Sequence, residues 1–158
     1  MQLQRIKKRK ENESLFKYIF AENGCIVYEN GQLLSIKNIK DELEEYEIQD
    51  IIHTILYYII KVKIPYKRGK FIDFRTAILY ILPTGSNITL DERQIFAEYD
   101  EEHDIRKDMI KYLETSLCSK YELDIKLGLD HYIFMNIGRI HPADIQPVYI
   151  CFPNSTIK

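Results

Sequence analysis

Four groups of side chains in this sequence have the types and spacing to do chemistry or binding, and each asks for a different partner. The first is Asp124-Ile125-Lys126. On an extended strand, residues two apart project from the same face. A carboxylate and an ammonium then stand side by side, as a divalent metal and an activated water require in nucleases of the D-x-K type. Such a centre needs a second acid from a neighbouring strand; Asp73 is the best placed, with Asp100 next. A simpler reading competes with it. Tyr121, Leu123, Ile125 and Leu127 alternate with Glu122, Asp124 and Lys126, so the charges read as the wet face of a half-buried strand.

The second group is Asp100, Glu101, Glu102, His103 and Asp104. It is rich in oxygen and nitrogen ligands, but it lacks the Asp-x-Asp-x-Asp-Gly run and the closing Glu of a calcium loop. A solvated acidic helix start is the simpler reading; failing that, a basic partner protein docking here is expected before a metal. The third group is Arg139, His141 and Asp144, in a loop between two apolar runs, where a guanidinium and an imidazole suit a phosphate or carboxylate. The fourth is the basic segment Arg5, Lys7, Lys8, Arg9 and Lys10, reinforced by Lys67, Arg68 and Lys70. It is the natural candidate for contacts to nucleic-acid phosphates. No helix-turn-helix, zinc-finger or RNA-recognition pattern accompanies it. His53 and His131 sit at the edge of an apolar stripe and after a turn, and neither is read as a ligand. No Gly-x-Ser-x-Gly elbow, phosphate loop or dinucleotide glycine fingerprint occurs, so neither a cofactor nor a metal is expected.

The elements that must position these groups follow from periodicity. The longest apolar run, residues 47–64, places Ile48, Ile52, Ile55, Ile59 and Val62 on one stripe at about 100° per residue. A helix is expected over about 42–59, its start favoured by Asp41, Glu42, Glu44 and Glu45 near the positive end of the dipole. Residues 60–64 fit either the end of that helix or a strand paired with Phe71-Ile72-Asp73-Phe74. Upstream, Leu15-Phe16-Lys17-Tyr18-Ile19-Phe20 predicts a short helix, and residues 25–36 a hairpin. Asn30-Gly31 supplies the positive φ angles that a tight hairpin turn needs.

Arg75 through Leu82 predicts a buried strand stopped by Pro83. Thr89-Leu90-Asp91-Glu92 has the capping-box pattern, and a clean helical period spans about 102–118, with a kink or break expected near Asp100. Strands follow at 121–127 and 132–137, antiparallel to each other, and a last one at 147–152. The sum is an α+β chain: a mixed or mainly antiparallel sheet of about five to six strands with two to three helices packed on it. Residues 1–158 are expected to form a single globular domain, with a mobile basic segment at 1–12.

Composition narrows the function classes. With 22 Lys+Arg against 24 Asp+Glu and a net charge of -2, the chain is neither polybasic nor strongly acidic. A hydrophobic share of 46%, with 6 Gly and 5 Pro, excludes disorder and low-complexity linkers. Cys25, Cys118 and Cys151 are odd in number and widely spaced, which suits reduced thiols in the cytoplasm. No stretch reads as a signal peptide or a membrane span. Heavy use of Ile, Lys, Tyr and Asn suits A+T-rich codons and a bacterial or viral source.

With no catalytic signature, elimination leaves a small intracellular binding protein, of the immunity, inhibitor or anti-defence kind. It would occlude a protein partner through Asp100, Glu101, Glu102, His103, Asp104, Arg139 and His141, or through the acids of 41–47. The alternatives are a metal-dependent nuclease using Asp73, Asp124 and Lys126, and a nucleic-acid-binding module using Arg5 to Lys10. Oligomeric state is not legible.

Overall fold

The computed structural model describes residues 17–22, 25–128 and 131–137. They fall into two compact units divided between Ile36 and Lys37.

The first unit is an antiparallel meander of β1 (Tyr18–Ala21), β2 (Ile26–Glu29) and β3 (Gln32–Ile36). The β2–β3 connection is the hairpin expected from Asn30-Gly31: φ is 49° at Asn30 and 76° at Gly31, the left-handed region that these two residue types enter at least cost. Of the short helix expected over 15–20, residues 15 and 16 lie outside the described residues, and 18–20 are corrected to strand β1. Tyr18-Ile19-Phe20 is too short a run to meet the cost of starting a helix, and its β-branched and aromatic side chains suit a pleated pairing with β2. Leu33, Leu34 and Ile36 on β3 are exposed.

The second unit begins with α1 (Ile39–Glu42), capped by the Asn38 side chain, and continues into α2 (Glu45–Lys61). Leu43 interrupts the single helix expected here. α2 opens with a capping box in which the Glu44 amide donates to Glu47 Oε2 at 2.9 Å. The ambiguous tail resolves as neither a strand nor a full helical turn: the helix ends at Lys61, and the Lys67 ammonium folds back onto the carbonyls of Ile59 and Val62. A cation on the last carbonyls of a helix satisfies acceptors that have no partner within it.

The second sheet has the order β4-β5-β7-β6, antiparallel throughout, with β4 at Ile72–Phe74, β5 at Ile78–Ile81, β6 at Leu123–Leu127 and β7 at Ile133–Ile137. β4 therefore pairs with β5, not with residues 60–64. Between β5 and β6 lie α3 (Leu90–His103) and α4 (Ile105–Leu117). The Thr89 capping box is present in both directions, at 2.9 and 3.2 Å. The helical break falls at Asp104, φ 51°, four residues beyond the expected place.

One face of this sheet is packed under helices. Leu79, Ile81, Leu123, Ile125, Ile133, Met135 and Ile137 join Ile48, Ile51, Ile55 and Ile59 of α2 and Met109, Leu113 and Leu117 of α4 in one core. The chain is thus α+β, with seven strands and four helices among the described residues. No described helix is long and apolar enough to cross a membrane.

Candidate functional site

Because one face of the four-stranded sheet is closed by α2 and α4, the alternation of strand side chains decides what the other face presents. Directly paired residues of antiparallel strands share a face. Asp73 pairs with Tyr80, Tyr80 with Phe134, and Phe134 with Lys126, so one row crosses all four strands on the outer side. The next row is Ile78, Asn136 and Asp124. Ile78 and Asn136 are buried, whereas Tyr80 and Phe134 are partly open. The outer face therefore has an aromatic floor with charges at both edges.

At the β4 edge the charges are organised around Asp73. Lys70 Nζ donates to Asp73 Oδ1 at 2.7 Å and Arg75 Nε donates to Oδ2 at 3.0 Å. The Lys70 hydrogen bond is the largest influence on the Asp73 carboxyl; desolvation opposes it and Arg75 adds to it, and together they hold it below its ordinary 3.8. Arg75 also lies over Tyr80, its guanidinium carbon 4.6 Å from the ring centroid, a cation–π geometry. Tyr80 in turn meets Tyr132 edge-on at 5.5 Å, and His131 meets Tyr132 edge-on at 5.7 Å. The β4–β5 connection is tight, the Arg75 amide donating to Ile78 O at 3.0 Å, so Arg75 is carried on rigid backbone.

The nuclease constellation does not assemble. Asp73 and Lys126 do share a face, but three strand spacings separate them, about 14 Å. Lys126 Nζ is bound to Asp124 Oδ2 at 2.6 Å and Asp73 is occupied by two cations. Each acid is neutralised where it stands, which leaves little field to attract a divalent ion. Among the described residues, no group of three His, Cys, Asp or Glu side chains is close enough to hold a metal.

The acidic group 100–104 also divides. Asp100 is buried and faces Arg106, whereas Glu101, Glu102, His103 and Asp104 are exposed. The His103 ring stacks on Tyr99 at 4.0 Å, and Asp104 pairs with Lys107, whose pKa is raised by that hydrogen bond. Arg139, His141, Asp144 and Arg5, Lys7, Lys8, Arg9 and Lys10 lie outside the described residues.

Sequence reasoning took Lys70 for part of a basic arm and passed over Arg75, Tyr80 and Tyr132. One local signal pointed to them: Asp73 and Arg75 are two apart in a β-prone run and so share a side. The rest depended on the β4–β5 register.

Residues 2–135 match the protein family described as eukaryotic phosphomannomutase. The chain is 46% identical over 113 residues to phosphomannomutase 2 of Dictyostelium discoideum, covering 72% of this chain and 45% of that protein. It is 42% identical over 105 residues to human phosphomannomutase 1, covering 66% and 40%. Against the phosphomannomutase of Dendrobium officinale it is 42% identical over 98 residues, covering 62% and 39%. A trehalose-6-phosphate phosphatase structure from Aspergillus fumigatus aligns with a TM-score of 0.42 at 12% identity, over 76% of this chain and 38% of that one.

The chain belongs to the eukaryotic phosphomannomutase family. It spans a little under half the length of the curated relatives it matches. This overturns the expectation of an immunity, inhibitor or anti-defence protein, and with it the expected protein partner and the nucleic-acid and nuclease alternatives. The family is eukaryotic, which likewise corrects the bacterial or viral source read from codon-linked composition. Membership is carried by the 46% of positions that are identical along a 113-residue alignment and by no short catalytic motif.

Proposed function

We propose that this chain acts on a phosphorylated mannose, in the phosphomannomutase activity for which its relatives are named, and that the outer face of the four-stranded sheet holds that sugar phosphate. The observation that carries the reading is Arg75 fixed over the Tyr80 ring beside Lys70. A planar guanidinium matches two phosphate oxygens at once, and a lysine ammonium adds a point charge. Beside the Tyr80 ring that carries Arg75, the rings of Tyr132 and Phe134 give the apolar side of a hexose a surface to lie on. A mutase moves a phosphoryl group between hydroxyls of one sugar, so one end of the substrate must be held while the other reacts. Binding and orientation are the roles this reading assigns to the described residues. The cytosol is the proposed compartment, in keeping with Cys25 and Cys118 standing as thiols.

Calorimetric titration tests the reading with mannose 6-phosphate, mannose 1-phosphate, mannose and inorganic phosphate. Saturable binding of the two sugar phosphates, absent for mannose and weakened about tenfold to a hundredfold in Arg75→Ala, is the expected result. Equal binding of mannose and its phosphates, or no effect of Arg75→Ala, would overturn it.

A further inference from the structure

We infer that Asp73 is a positioning residue for Arg75, aligning the guanidinium for a sugar phosphate at the expense of raw attraction for anions. The inference rests on the reading that Arg75 takes the phosphate of the sugar. Three geometric facts carry it. The hydrogen bond from Nε to Asp73 Oδ2, at 3.0 Å, fixes the rotation of the guanidinium about its long axis. The Tyr80 ring, 4.6 Å below, fixes its tilt. Asp73 and Tyr80 are themselves register partners, so both constraints come from one cross-strand pair and move together. Slipping β4 by one residue would carry Asp73 to the helix-packed face and release Arg75.

Charge makes the arrangement informative. Of these three side chains, Lys70 and Arg75 bring two positive charges and Asp73 sets one negative charge between them. A carboxylate in the middle of an anion site weakens long-range attraction. What it contributes is direction, because bidentate recognition of a phosphate needs the guanidinium plane set in advance. Lys70, bound to the other carboxylate oxygen at 2.7 Å, keeps Asp73 itself from rotating. The consequence is selectivity: a phosphate carried on a sugar has its approach set by the ring on the aromatic floor and needs the aligned plane. Inorganic phosphate can approach from any side.

The opposed signs of charge and alignment make the idea testable. Mannose 6-phosphate and inorganic phosphate are titrated at fixed ionic strength into wild type, Asp73→Asn, Asp73→Glu, Arg75→Lys and Arg75→Ala. In Asp73→Asn, affinity for mannose 6-phosphate should fall roughly tenfold while inorganic phosphate binds as well or better, and Asp73→Glu should restore part of the preference. A parallel rise for both ligands in Asp73→Asn would make Asp73 a mere counter-charge. A parallel fall would mark general structural damage; either result overturns the inference. If Arg75→Lys abolishes binding of the sugar phosphate while Asp73→Asn leaves its preference intact, the site stands and the positioning role falls. If Arg75→Lys and Arg75→Ala both bind mannose 6-phosphate like wild type, the reading of the site itself is removed.

Discussion

Arg106 grips both carboxylate oxygens of Asp100, its backbone amide donating to Oδ1 and its Nε to Oδ2, each at 2.7 Å. The same guanidinium donates from Nη1 to Gly128 O at 3.0 Å and Tyr132 O at 3.4 Å. One side chain thus ties the α3–α4 joint to both ends of the β6–β7 turn, and through Tyr132 to the ring that underlies Arg75. The pair is nearly closed to solvent, with side-chain exposures of 13% for Arg106 and 8% for Asp100. Losing one partner strands the other charge in a poorly hydrated place, so Asp100→Ala or Arg106→Ala should each cost about 3–5 kcal/mol. Joint replacement by Leu and Met should cost far less. Urea unfolding of the two single variants and the double variant checks this through the midpoints at unchanged slope.

Lys67 closes the C-terminal end of α2 by donating to the carbonyls of Ile59 and Val62. Replacing it with Met keeps the apolar stem and removes the charge and donors, and should cost about 1 kcal/mol. The loss should be local. Amide exchange should accelerate in the last turn of α2, with little change among Ile48, Ile51 and Ile55; uniform acceleration throughout α2 would contradict it.

What the sequence made legible was local chemistry. Asn30-Gly31 specified its turn because both central residues must take positive φ, and Thr89 with Glu92 specified a helix start because the two caps are reciprocal and three residues apart. The break at Asp104 was displaced from its expected place near Asp100 because Asp100 is claimed by Arg106, a contact settled by tertiary packing. The candidate site was hidden for a related reason. Asp124 and Lys126 advertise themselves as neighbours on one strand, yet they satisfy each other. Arg75 acquires its setting from Tyr80, Tyr132 and Asp73 only when β4, β5 and β7 are in register.

A second tether links α2 to the start of β6 and gives the protein two titration limits. Lys120 Nζ and the Tyr121 hydroxyl both donate to Asp50 Oδ2, at 3.1 and 2.9 Å. The Lys120 hydrogen bond, followed by that from Tyr121, holds the Asp50 carboxyl below its ordinary 3.8. A depressed carboxyl contributes stability that is present above the unfolded value and lost as pH falls through the folded one. Tyr121 is pushed up to about 12, by desolvation first and by its bond to Asp50 next. A raised phenol contributes stability that is present below its ordinary value of 10.0 and lost as pH climbs toward about 12. Tyr121→Phe should therefore remove part of the alkaline decline in thermal midpoint above pH 10, and Asp50→Asn part of the decline below pH 4. Superimposable melting profiles for wild type and both variants across these ranges would contradict the linkage.

Two glycines with similar backbone angles should respond very differently to the same substitution. Gly31 has φ 76° and open space where a Cβ would sit, whereas Gly85 has φ 85° and its Cβ would fall 2.0 Å from the carbonyl oxygen of Arg68. The crowding at Gly85 follows from the pairing around it, with the Arg68 amide donating to Thr84 O at 2.8 Å and the Asn87 amide to Arg68 O at 3.1 Å. Gly31→Ala should therefore cost only the left-handed strain, about 1–2 kcal/mol. Gly85→Ala adds a collision with backbone that cannot rotate away, for a total of about 3–5 kcal/mol. Because the 66–71 segment leads directly into β4, Gly85→Ala should also weaken sugar-phosphate binding through Lys70 and Arg75, and Gly31→Ala should leave it unchanged. Equal unfolding midpoints for the two variants, or equal losses of binding, would show that the Arg68–Gly85 approach is not a constraint on the fold.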